Sequence, residues 1–384
     1  MRERLPIFDE EHELFRKALR SFIEQEVVPQ VDEWEARGAI PRWLFRRMGE
    51  LGFLGVEFPP EYGGAGADLW MSVVFAEELA RCRSGGVAFS VVVHTDMSSP
   101  WLLRFGSETQ KARWLPAIVR GERVCALAIT EPGAGSDMAA IQTRARREGD
   151  SWVITGTKTF ITNGVQADLY FVAARTRDDG PRHRRLSQFV IERETPGLAV
   201  SRTLDKMGMW AADTAELVFD QVRVPATHLL GEEGRGFYQL AEGLQRERLM
   251  AAVLCVSAAR QALEDCQTYL RQRQAFGRPL AEFQALRHRM ADLATEIEAA
   301  RWLTYRAAER MAAGEDCVME VSMAKLFASE MVNRVAFEAV QLHGGYGYMR
   351  EFRVERFARD YRLWTIASGS SEIMREIIAK RLPL

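Results

Sequence analysis

Histidine and cysteine are scarce in this 384-residue chain, six and five respectively. Neither falls into a metal-ligand spacing, so no metal site is expected. Cys82, Cys125, Cys255, Cys266 and Cys317 contain no C-x-x-C pair. An odd, scattered set of this kind reads as reduced thiols in a cytoplasmic protein. A charge imbalance is missing too. With 51 basic and 53 acidic residues the formal net charge is -2, which argues against a general nucleic-acid binder. The arginine clusters at 144–147 and 182–185 are short and read as solvated faces or loops. No apolar run is long enough to span a bilayer. The N-terminus has no apolar h-region, so no targeting segment is expected.

What is present divides the chain by period. Residues 1–122 read as helices. Asp9 caps a run with Phe15, Leu19, Phe22, Ile23 and Val27 at helical spacing, which Pro29 ends. A second helix from Pro41 buries Leu44, Phe45, Met48 and Leu51. Helices follow at about 68–83 and 86–104, the latter apolar nearly all round. Ser107 to Gln110 is a capping box opening one more, ended by Gly121. Residues 123–232 change to short Val-, Ile-, Thr- and Phe-rich segments separated by turns, with Gly149-Asp150 and Gly156 as hairpin turns. About seven or eight strands fit a small barrel or sandwich. From 233 to 384 the helical period returns, with a long helix to about Arg273, a second after Pro279, a third over about 316–342 and a last from Ser370. The fold class is therefore α+β multidomain: an N-terminal helical domain, a central β-barrel or sandwich and a C-terminal four-helix bundle.

Two strand ends stand out. Ala126–Asp137 begins as a buried strand and breaks at Thr130-Glu131-Pro132-Gly133-Ala134-Gly135-Ser136-Asp137, where Gly133 and Gly135 free the backbone for turns. The second, Thr159-Phe160-Ile161-Thr162-Asn163-Gly164, puts an aromatic face and a hydroxyl at another strand end. Each alone reads as a strand and a glycine turn. Together they suit a flat, polar-edged cofactor with a phosphate tail, although neither is a G-x-G-x-x-G fingerprint. On the long helix, Leu240, Leu244, Glu247, Ala251 and Leu254 share one stripe. Glu247 is thus a carboxylate on an apolar face. It suits either a salt bridge to Arg246, Arg248 or a facing helix, or a general base whose pKa burial has raised.

Nearly the whole chain resembles the acyl-CoA dehydrogenase family. The motifs are Thr130–Asp137 with Phe160–Gly164, then Arg273-Gln274-Ala275-Phe276-Gly277, then Gln341-Leu342-His343-Gly344-Gly345-Tyr346-Gly347. The resemblance implies FAD, contacted by Leu127, Ile129, Thr130, Gly135, Ser136, Phe160, Thr162, Arg273, Phe276, Gln284, Gln341, Gly344, Gly345, Ser370 and Glu372. Arg273 would reach the flavin diphosphate of a neighbouring subunit, which implies a homo-oligomer, usually a tetramer. In most members the base lies near the C-terminus in a Tyr-Glu-Gly-Thr segment. The matching positions here are Ala367 and Ser368, and a serine cannot replace that carboxylate. Glu372 does not rescue it. In the isovaleryl-CoA and long-chain branches the base lies instead on the long helix in a Glu-Arg-Leu segment, which Glu247-Arg248-Leu249 matches. By the resemblance, Glu247 takes the α-proton of an acyl-CoA and the backbone N–H of Ser368 serves the oxyanion. The electrons pass to an electron-transferring flavoprotein. Val91, Val93, His94, Met97, Leu244, Arg248 and Ala367 are expected around the substrate. Rivals are the same reaction on a carrier-protein thioester, a flavin oxidase or monooxygenase on this fold, and a non-enzymatic flavoprotein scaffold or nucleic-acid-associated relative.

Overall fold

The structure is a computed structural model that describes residues 7–383. The N-terminal region is helical: α1 (Glu10–Phe22), α2 (Val31–Arg37), α3 (Arg42–Glu50), α4 (Leu69–Leu79), α5 (Gly85–Val92), α6 (Ser99–Phe105) and α7 (Glu108–Val119). The capping signals hold. Asp9 accepts from the His12 backbone N–H, and Ser107 and Gln110 form a reciprocal box. Each such cap satisfies donors that the first turn leaves unpaired.

Three details of this region differ from the sequence reading. Pro29 does not end the first run. The chain passes through a π turn (Ile23–Val27) and a 3-10 turn (Val28–Gln30) into α2. Proline sits at the start of that 3-10 turn, where its missing N–H costs no hydrogen bond. The helix expected over 86–104 is two helices joined by a π turn, Val93–Ser98, an insertion frequent at functional sites. Leu51 is 39% exposed rather than buried, because α3 ends at Glu50 and Leu51 caps it.

One eight-stranded sheet follows: β1 (Cys125–Ala128), β2 (Arg144–Glu148), β3 (Ser151–Thr162), β4 (Leu169–Arg175), β5 (Leu186–Glu192), β6 (Leu198–Thr203), β7 (Thr214–Pro225) and β8 (Leu229–Leu230). Its order is β6-β7-β3-β2-β4-β5-β8, with β1 parallel to β4. Alternation along β4 shows how it is covered on both faces. Leu169, Phe171 and Ala173 join Trp101, Leu102, Trp114 and Leu115 from α6 and α7. Tyr170, Val172 and Ala174 join Trp152, Ile154, Leu217 and Phe219 from β3 and β7. Gly149-Asp150 is a hairpin turn, between β2 and β3. Gly156 is not. It lies inside β3 where the pairing with β7 slips between Ile154 and Gly156. A Cβ there would meet Thr143 Oγ1 at 2.4 Å, so glycine answers a close approach and a bulge rather than a reversal.

The C-terminal region is α8 (Gly236–Gln272), a two-strand hairpin of β9 (Gln274–Ala275) and β10 (Arg278–Pro279), α9 (Gln284–Ala312), α10 (Val318–His343), α11 (Arg353–Tyr361) and α12 (Ser371–Ala379). At 37 residues, α8 runs about 56 Å. Ala251, Ala252, Ala258 and Ala259 on α8 and Ala324, Ala328, Ala336 and Ala339 on α10 are buried in the same core or beside it. Small side chains let the two helices approach closely. Each fully buried leucine of α8, such as Leu249 or Leu254, contributes about 1.5–3 kcal/mol.

Candidate active site

The two strand ends meet. The Thr159 N–H donates to the Thr130 carbonyl at 2.9 Å, so the turn after β1 lies against β3. A buried lock holds it. Lys158 Nζ donates to Glu131 Oε1 and to the Ile129 carbonyl, both at 2.8 Å. Glu131 also accepts from the N–H groups of Gln142 and Thr143. Burial lowers the Lys158 pKa to about 8 against the pull of Glu131. A lysine inside a β-rich segment was the only sign of this in the sequence.

Gly133 and Gly135 are not among the glycines with positive φ, so turn strain does not explain them. Nothing lies within 4 Å of where their Cβ atoms would sit, which leaves bare backbone facing open space. Phe160, at φ 60, is 69% exposed. Leu127, Ile129, Thr130 and Thr162 are half-buried and Ser136 is exposed.

A second concavity, of about 620 Å³, brings together Arg273, Gln341, Gly344 and Gly345 with Tyr269 and Tyr346. The Arg273 guanidinium sits 5.3 Å from the Tyr346 ring centre. Gly344, at φ 59, and Gly345 face open space. Phe276 projects from the β9–β10 turn at 94% exposure, and Gln284 opens α9 on the surface. These polar and aromatic surfaces fit a flat cofactor with a charged tail. Ser370 caps α12 by accepting from the Ile373 N–H, and Glu372 is exposed in that helix's first turn.

Glu247 lies on α8 beside the turn before α12. Its Oε1 accepts a hydrogen bond from Ser368 Oγ at 2.5 Å. Its Oε2 is closed to solvent and has no partner. Burial raises the Glu247 pKa, opposed by the Ser368 hydrogen bond and by the Arg248 and Lys325 charges. The salt-bridge alternative fails at Arg246, which is spent on Glu57 at 2.7 Å and Asp96 at 2.6 Å. It fails at Arg248 too, whose Nε donates to the Ser368 carbonyl at 3.3 Å. Lys325 Nζ donates to the Gly369 carbonyl at 2.5 Å, and Ser368 itself has φ 56. The hydroxyl contact went unread in the sequence because its partners are 121 positions apart.

The Arg246–Asp96 pair ties α8 to the π turn, which carries Val93 and Met97, with Val91 just before it on α5; all three are buried. Leu244 and Arg248 are buried on α8, and Ala367 is half-buried next to Ser368. His94 is committed to the scaffold rather than to a substrate. Its Nδ1 accepts from the Cys125 N–H and its ring packs on Phe45. Burial lowers its pKa to about 4, so the ring is neutral.

A buried carboxylate with no ion-pair partner among the described residues, in a chain that also presents surfaces open to a flat cofactor, is the equipment of an oxidoreductase that removes hydrogen from carbon. Comparison with known proteins narrows that class: the chain belongs to the acyl-CoA dehydrogenase family. It matches the acyl-CoA dehydrogenase N-terminal domain at residues 9–122, the middle domain at 126–222 and the C-terminal domain at 234–382. It is 40% identical over 383 residues to the mouse long-chain specific acyl-CoA dehydrogenase, covering 98% of this chain and 87% of that protein. An acyl-CoA dehydrogenase structure from Geobacillus kaustophilus superposes with a TM-score of 0.96 at 46% identity, covering 99% of this chain and all of the other. A Mycobacterium smegmatis glutaryl-CoA dehydrogenase in complex with FADH2 superposes at 0.92 and 30% identity, covering 98% of this chain and 95% of that one. The family is FAD-dependent, and this chain is an enzyme of that kind. Among the described residues no helix is long and apolar enough to cross a membrane, no group of acidic, histidine or cysteine side chains could hold a metal, and all five cysteines are free and buried.

Proposed function

We propose that this chain converts an acyl-CoA thioester into the trans-2-enoyl-CoA, with Glu247 as the base. The unpartnered, desolvated Oε2 of Glu247 carries the reading. The α-proton of a thioester is weakly acidic, so a well-solvated carboxylate is a poor base for it. Burial raises the proton affinity of Glu247 toward the working range. The backbone N–H of Ser368, in a turn of positive φ clamped by Arg248 and Lys325, donates to the thioester oxygen as the enolate develops. One such donor contributes roughly 3–4 kcal/mol. FAD, when bound, supplies the acceptor for the β-hydrogen as hydride. Thr130, Phe160 and Thr162 would hold its ring, and Arg273, Gln341, Gly344 and Gly345 of a neighbouring subunit would hold its diphosphate and adenine side. Val91, Val93 and Met97 would line the acyl end. A small serine where most members have Glu leaves room for a long or branched acyl group. Electrons leave to an electron-transferring flavoprotein, and the working form is a cytoplasmic homotetramer.

Anaerobic titration of the purified flavoprotein with acyl-CoAs of graded length and branching tests this. Bleaching of the oxidised flavin band by one class is expected. Glu247→Gln should slow it about 10²–10⁴-fold. Bleaching by carrier-bound thioesters alone, or a Glu247→Gln protein reacting at full rate, would overturn the substrate or the base respectively.

A further inference from the structure

We propose that the Ser368 hydroxyl is a positioning residue for the base: by holding Oε1 of Glu247 it fixes the orientation of the carboxylate that takes the α-proton. This rests on the reading of Glu247 as base. The terminal torsion of a glutamate is broad and roughly two-fold, so an unrestrained carboxylate presents either oxygen over a wide arc. Here one oxygen is held. Ser368 Oγ donates to Oε1 at 2.5 Å, within the short range expected for a hydroxyl on a carboxylate. Oε2 is left without a partner and shut from solvent.

The donor is itself fixed from two helices. Arg248 on α8 binds the Ser368 carbonyl and Lys325 on α10 binds the next carbonyl, Gly369. The charged groups facing Glu247 are Arg248 and Lys325. Glu372 on α12 acts on Lys325. Arg246 is turned away to Glu57 and Asp96. In the step, the α-carbon–hydrogen bond breaks and an O–H bond forms on the Glu247 carboxylate. The electron pair moves onto the thioester enolate. The serine keeps its own proton throughout.

Two variants separate the hydroxyl from the backbone. Ser368→Ala and Ser368→Gly both lose it, but only glycine is at ease at φ 56. The Glu247 carboxyl band is followed by difference infrared spectroscopy against pH in the FAD-loaded protein, with Glu247→Gln identifying the band. Loss of a hydrogen bond to the charged form should raise the Glu247 titration by about one unit or more in both variants. The bleaching rate should fall about tenfold, with substrate affinity held within a factor of about two. A titration unmoved in both variants, or moved in the alanine variant alone, would overturn the assignment. A Glu247→Gln protein at full rate would instead overturn the base reading, and the infrared titration would still report whether Ser368 bonds Glu247.

Discussion

Glu247 and Ser368 address one point of the site from two chain segments. Their side chains meet at 2.5 Å, although one stands on α8 and the other in the turn before α12. In most members, the resemblance implies, the base occupies the position of Ser368. A carboxylate built there should therefore reach the proton that Glu247 reaches. It would also find Lys325, which burial holds at a pKa of about 8, as a neighbouring cation. We expect Glu247→Gln combined with Ser368→Glu to recover at least tenfold of the rate lost in Glu247→Gln alone, a modest part of a base's usual contribution. The measurement is the rate of flavin bleaching under anaerobic conditions. No recovery, in a double variant that folds and holds FAD, would mean that the α-carbon lies beyond the reach of position 368. The sequence made the exchange of carboxylates visible. It did not reveal the hydrogen bond, because nothing local to either residue points to the other.

Elements were legible where their signal was local. The caps at Asp9 and Ser107 and the apolar stripe of α8 each depend on residues within a turn or two. Elements shaped by distant contacts were not. The π turn at Val93–Ser98 forms where Asp96 meets Arg246 of α8 and the Ser99 hydroxyl bonds the His94 carbonyl. Helix α11 was missed because only Val354 and Tyr361 of its apolar positions are fully buried; five of its nine residues are charged. Gly156 was misread as a turn because a glycine between two β-rich segments looks the same whether the chain reverses or bulges. The bulge has a measurable consequence. In a Gly156→Ala protein the new Cβ would sit 2.4 Å from Thr143 Oγ1 and 2.7 Å from Thr143 Cα, so backbone has to shift. A loss of about 1–3 kcal/mol is expected, read as a lower midpoint in denaturant unfolding. An unchanged midpoint would mean that β2 and β3 part without cost.

At the scale of the whole molecule, the helical and sheet regions meet at a pair of buried carboxylates. Asp360 on α11 accepts from the Gly85 N–H at the start of α5 and from the Met209 N–H in the β6–β7 loop. Glu35 on α2 accepts from the Ser84 hydroxyl at 2.6 Å and the Ala211 N–H at 3.3 Å. Its other oxygen has no hydrogen bond; Arg356 lies 4.0 Å away, and the charges of Lys206 and Arg359 also interact with this group. Burial first, and the Glu35 charge second, raise the Asp360 pKa from 3.8 to about 7. The folded state therefore holds this proton more tightly than the unfolded chain does. The stability it contributes is complete below about pH 4 and is lost as pH rises to about 7. Glu35→Gln keeps the accepting oxygen for Ser84 and Ala211. It replaces the unbonded oxygen with an amide donor and removes the charge facing Asp360, while Arg356 retains Asp32. The variant should be more stable than the parent at pH 8 by about 1–2 kcal/mol, and the difference should shrink toward pH 4. Thermal unfolding across that range decides it. A difference that stays constant with pH, or a variant less stable at pH 8, would show that the junction does not carry the electrostatic cost that its geometry implies.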